Sequence, residues 1–485
     1  MSSYSSVTAS VIQLQAGGAL QNMIHQLASD TLDVFSSAYL VTRPFAHGCE
    51  RDSNTLSLKP RAAVTARGLF EVTRSFDLLF DAFMVVDLPG ICNTAGGAGA
   101  QAPLTGADRP WYTNGVAAAL LDSVSLTMGG HSISTLSGAM CYLFEEICGQ
   151  PSKSVDEMIG RVNPSLPESS IVAGLQAKSS KARRLYLPLH FWFSSQRSQL
   201  SSALNLIGAQ FQRCHIDVRL NGLASVIENA AGAAFISANG AAVDTRILDP
   251  IANDMLGEVR SGGSVAATAT QNILTATDAA RVTMDYHGIT LSEEDRPAFK
   301  NTNTLSLMSE VHARPASERV LQPSNGSIDV TSFAKNLVTE IIIAARVADD
   351  GAGMAYGPLR FDGDYDATAG CAEGPLGTID CSISGQARTP ANMEAEMFNT
   401  KMCYIHHSKI PQHKGVYTIP ISMYPEDDVV DSHANVSKLD SLTLRLTKKS
   451  AQTAPNPERN ITADVYALSL NLLVEKDGMK AKYFV

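Results

Sequence analysis

The stretch LLDSVSLTMGGHSIST, residues 120–135, is compatible with few folds. Val124, Leu126 and Met128 alternate with Ser123, Ser125 and Thr127, the period-two pattern of a strand with one buried face. Gly129-Gly130 then supplies the positive φ of a tight turn, and a second short run leaves it, which together read as a hairpin. Strand patterns recur along the chain in AFMVVDL (82–88, closed by Pro-Gly), HIDVRL (215–220) and ARVTMDYHGITL (280–291). They continue in LVTEIIIAARV (337–347), VYTIPISMYP (416–425), LDSLTLRL (439–446) and ADVYALSLNLLVEK (463–476). Helical spacing is confined to 19–35, LSGAMCYLFEEIC (136–148) and NMEAEMFNT (392–400). Many short strands joined by Gly-, Pro-, Asn- and Asp-bearing turns predict an all-β sandwich, and 485 residues allow two.

Composition narrows the function. A net charge of −10 opposes direct nucleic-acid binding, which calls for a basic face. Eight scattered cysteines without paired short spacings predict reduced thiols rather than a disulfide scaffold. The N-terminal MSSYSSVTASVIQLQAGG lacks a basic and apolar leader, so synthesis in the cytoplasm is expected. No apolar run is long enough for a membrane span. Residues 221–272 are rich in Ala, Gly and Asn and read as a linker or surface insertion between two halves.

The run LYLPLHFWF (185–193) is apolar on both of its period-two faces. Leu185, Leu187, Leu189, Phe191 and Phe193 fall on one face, and Tyr186, Pro188, His190 and Trp192 on the other. It must be buried inside the subunit or against a partner, and Pro188, with no amide donor, favours a strand edge.

That run resembles the Leu-Tyr-Ile-Pro-Leu-Pro-Phe-Trp-Phe motif of the double jelly-roll major capsid proteins of nucleocytoplasmic large DNA viruses, with His190 in place of the second proline. Other blocks resemble the same family in order: RSFDLLFDAFMVVDLPGI (74–91), NGVAAALLDSVSLTMGGHSIST (114–135), MDYHGITLSEEDRPAF (284–299), the segment 416–446 and the tail from 471. The resemblance implies two consecutive eight-stranded antiparallel jelly rolls with a few short helices. The expected organisation is an N-terminal arm or helix (1–35), a first roll (36–220), the insertion (221–272) and a second roll (273–485). It further implies a non-enzymatic virion protein without cofactors, forming homotrimers that tile an icosahedral shell. Its partners would be neighbouring capsomers and minor capsid proteins beneath the shell, near an internal membrane. The alternative is a two-domain β-sandwich that binds carbohydrate or a receptor through exposed aromatic platforms, for which Trp111 is the loop-proximal candidate.

Sites with possible chemistry are few. Asp362, Asp364, Asp366 and Glu373 occupy positions 1, 3, 5 and 12 of a calcium-loop frame, but Ala367 replaces the required Gly, so a solvated acidic loop is the preferred reading. Cys403, His406, His407 and His413 match no standard zinc spacing. Asn325, Asn435 and Asn460 fit the glycosylation sequon, with unmodified asparagines preferred. Glu293-Glu294 and Asp427-Asp428 are read as solvated acids. No nucleophile elbow, zinc-protease or phosphate-loop motif occurs.

Overall fold

A computed structural model of the chain describes residues 20–22, 45–58, 66–90, 111–149, 154–164, 166, 168–194, 203–228, 235–236, 258–259, 280–300, 304–315, 320–321, 325–347, 359, 361, 365–366, 371–372, 374–390, 392–426, 432–449, 461–476 and 478–484. Strands dominate, and every pairing between them is antiparallel within these residues. In the first roll, one sheet runs Leu204–Asn205, Leu78–Leu88, Ala280–Leu291, Phe45–Arg51, with Arg183–Pro188 beside Leu78–Leu88. The sheet facing it runs Ala66–Glu71, Cys214–Leu220, Leu121–Met128, His131–Ser137. Val124, Leu126 and Met128 are fully buried against Val282, Met284 and Val218, while Gly129 (φ 57°) and Gly130 (φ 87°) make the expected turn. A side chain with a branched Cβ would be strained at both turn positions.

The second roll repeats this plan. One sheet runs Leu20–Asn22, Ser432–Asn435, Leu337–Val347, Ile461–Lys476, Thr304–Ala313, and the other runs Asn325–Asp329, Leu442–Lys448, Leu376–Ile383, Gln386–Ala387. Alternation explains the continuous apolar runs of its two central strands. Ile341, Ile343, Val465 and Ala467 fill the second roll's own core, whereas Ile342, Ala344, Tyr466 and Leu468 join the core of the first. Both faces of that sheet are therefore dry, and polar alternation has nowhere to appear. Burial at about 25 cal/mol per Å² makes this apolar contact the main force holding the rolls together.

Three sequence expectations change. Ala280–Leu291 pairs with Leu78–Leu88 and Phe45–Arg51, so it belongs to the first roll's sheet, and the boundary expected at residue 273 lies beyond Leu291. The strand's own pattern could not reveal this, because period two fixes faces, not partners. Leu20–Asn22, expected within a helix over 19–35, is instead a strand paired with Ser432–Asn435; the remainder of that helix lies outside the described residues. Strand pairing across the molecule here overrides local helical spacing. Finally, LYLPLHFWF is a strand only to Pro188, at the sheet edge as its missing donor requires. Leu189–Phe193 then turns through a Phe191 N–H bond to the Leu189 carbonyl (2.8 Å) and is buried wholly within the subunit.

Candidate functional site: the roll junction and two apolar patches

The helix Gly138–Ile147 begins where the Ser137 hydroxyl accepts the Met140 N–H at 3.2 Å. It carries Tyr142, Glu145 and Glu146, each at most 2% exposed, into the junction between the rolls. Residues 409–413 of the second roll meet it. The Gln412 N–H donates to Glu146 Oε2 (2.8 Å), the Lys409 N–H to the Ile147 carbonyl (3.2 Å), and Tyr142 Oη lies 2.7 Å from His413 Nε2. Asn399 Nδ2 fixes that segment by donating to the His413 and Val416 carbonyls (2.9 and 2.8 Å).

Arg161 binds the arrangement together. Its guanidinium, 2% exposed, pairs with Glu146, with Asp156 (2.8 Å), and donates to Gln412 Oε1 (2.8 Å). It also lies 5.5 Å from the centre of the Tyr142 ring, a cation–π contact. His190, the residue that departs from the family motif, places Nε2 2.9 Å from Glu145 Oε1. His190 thus gives the apolar run a polar link to the junction helix. Tyr142→Phe keeps the ring and removes one buried hydrogen bond; thermal unfolding should show a loss of about 1 kcal/mol.

A second polar tie lies at the other strand ends. Lys480 Nζ pairs with Glu475 (2.9 Å), which also accepts from Asn205 Nδ2 of the first roll (3.0 Å). Burial pushes the Lys480 pKa down, opposed by Glu475.

Two groups of exposed apolar side chains stand out among the described residues. In the first, the helix Lys401–His406 presents Tyr404 (77% exposed) and Ile405, and His406 Nδ1 lies 2.9 Å from the Met423 carbonyl, setting Met423 and Tyr424 beside them. In the second, Phe211 (78% exposed) lies against Gly478, next to the exposed Met479. Arg74 holds the Phe211 loop by donating to the Ala209, Gln210 and Gln212 carbonyls (2.8, 3.2 and 2.9 Å). Ordered apolar side chains of this kind are what a protein interface uses.

The residues singled out in the sequence do not converge on one site. Asp362, Asp364, Glu373, Asn460 and Asp427-Asp428 lie outside the described residues, and Asp366 sits on a two-residue strand paired with Ala372 and Cys371. Asn325 starts a strand opposite Thr447, Asn435 is fully buried, and Glu293-Glu294 are exposed. Cys403 contacts the Thr418 hydroxyl (3.3 Å), His406 faces the surface and His413 faces Tyr142, so the four residues of that run point to different places. His407 alone enters a buried charged cluster with Glu340 and Glu426. Trp111, in a short strand, and Trp192, in the turn after Pro188, are each 4% exposed, so neither is an aromatic platform. The junction residues Glu145, Glu146, Glu340 and Arg161 were missed. The available signal was an acidic residue inside an apolar run, in CYLFEEI and again in LVTEIII.

Two packed rolls of the same plan, each of two facing antiparallel sheets, define a double jelly roll. Residues 52–274 match the family described as the major capsid protein N-terminus. The fold resembles that of the PBCV-1 virus capsid, with a TM-score of 0.61, 16% identity, and 93% of this chain and 100% of that chain covered. It also resembles the Faustovirus major capsid protein, with a TM-score of 0.57, 12% identity, and 98% of each chain covered. No curated protein sequence matches the chain. Among the described residues, no helix is long and apolar enough to cross a membrane.

Proposed function

We propose that the chain is the major capsid protein of a large DNA virus, three copies of which close into a pseudo-hexagonal capsomer of an icosahedral shell. The observation that carries this reading is the pair of like rolls fused through a dry interface. Three such chains around a threefold axis present six similar rolls, a block able to tile a facet. Closed threefold symmetry needs two different, complementary surfaces on every chain. The Tyr404–Tyr424 patch and the Phe211–Met479 patch supply two apolar surfaces of that kind. Contacts between capsomers, and with minor capsid proteins beneath the shell and above an internal membrane, would be further and more polar. Assembly in the host cytoplasm follows from this reading.

Light scattering of the purified full chain tests it. A stable species of three times the chain mass is expected, and Tyr404→Asp with Tyr424→Asp should convert it to a folded monomer. A wild-type chain that stays monomeric at micromolar concentration overturns the preformed trimer.

A further inference from the structure

We propose that Cys148, His407 and Glu426 form a zinc-class metal site that staples the first roll to the second. Cys148 ends the junction helix of the first roll, while His407 and Glu426 come from the second. The thiol, an imidazole nitrogen and a carboxylate oxygen lie within 4.8 Å of one another. Thiolate, imidazole and carboxylate together are the donor set of zinc, whose bonds of about 2.0–2.3 Å require these atoms to close in by roughly 1 Å.

The orientation of the ring supports the assignment independently. His407 has a fully buried side chain, and its Nε2 lies 2.6 Å from Glu340 Oε1, a carboxylate on the central strand Leu337–Val347. The opposite nitrogen, Nδ1, faces Glu426 at 3.1 Å. A ligating histidine whose far nitrogen meets a carboxylate is the usual outer support of a bound metal, fixing tautomer and ring plane. Glu426 is itself held by the Ser408 N–H (2.9 Å) and hydroxyl. A water would complete the tetrahedral set as fourth ligand.

Without metal, burial raises the Cys148 thiol to about 11. Burial would lower the His407 pKa, but Glu340, with Cys148 and Glu426, overturns this and raises it. Coordination forms metal–sulfur, metal–nitrogen and metal–oxygen bonds and releases the thiol proton and the Nδ1 proton to solvent.

Full-length protein, stripped with chelator and titrated with Co²⁺, reads the site directly, whether or not the chain forms trimers. One equivalent should produce a thiolate-to-cobalt charge-transfer band that Zn²⁺ removes. Cys148→Ser should abolish the band, and Cys49→Ser, at an exposed thiol, should retain it. Glu340→Gln should weaken binding about 10–100-fold while keeping the band. No band in the wild type, or an unchanged band in Cys148→Ser, overturns the assignment. If Cys148→Ser does not fold, Glu426→Gln takes its place: a tenfold or greater loss of affinity supports the site, and unchanged affinity overturns it.

Discussion

Arg161→Ala is expected to destabilise the protein by about 3–5 kcal/mol, the cost of leaving a buried charge without its partner. The guanidinium and the Glu146 carboxylate are 2% and 0% exposed, so water cannot replace the lost pairing. The change also leaves Gln412 Oε1 without its donor and removes the cation over Tyr142. Because Glu146 accepts the Gln412 N–H, the damage falls on the contact between the rolls rather than inside either one. Urea unfolding followed by circular dichroism should show the loss, with the rolls separating into two transitions as the junction weakens. The double variant Arg161→Met with Glu146→Gln should recover much of it, because the uncompensated charge is then gone. A single-variant loss below about 1 kcal/mol would mean that the pair is solvated and that apolar contact alone joins the rolls.

The sequence made the strand faces legible and the strand partners much less so. Val124, Leu126 and Met128 are buried as their alternation dictates, and Gly129-Gly130 turns where the pattern breaks. Ala280–Leu291 shows the limit: its residues declare a strand, but its place in the first roll depends on pairing with Phe45–Arg51, more than 200 residues earlier in the chain. Leu20–Asn22 shows the same limit from the other side, since helical spacing is local and the edge of Ser432–Asn435 is not. The junction was least legible. Arg161 and Glu146 sit in neighbouring segments of the first roll, and only the packing of the second roll on it brings Gln412 to them. His407 was one of four metal-type residues in its run, but the structure clusters it with Cys148, Glu426 and Glu340 from other segments, not with Cys403 or His413.

Trp192→Ala is the second large effect, a loss of about 3–5 kcal/mol, and it separates two roles for LYLPLHFWF. Trp192 is 4% exposed and meets Phe193 edge-on at 5.1 Å, while Phe193 stacks on Phe191 at 5.5 Å. Removing the indole leaves a cavity that this turn cannot close easily, because the Ser194 and Phe191 N–H groups are already bonded to the Phe191 and Leu189 carbonyls (3.0 and 2.8 Å). If the run serves the subunit's own core, Trp192→Ala lowers the unfolding midpoint and leaves association on dilution as in the wild type. An interface role would make the variant dissociate at higher concentrations than the wild type, since association stabilises by mass action. The burial of Leu189, Phe191, Trp192 and Phe193 within a single chain decides for the first result. The proposed trimer should therefore dissociate with the Tyr404 and Tyr424 variants and stay associated, though less heat-resistant, with Trp192→Ala.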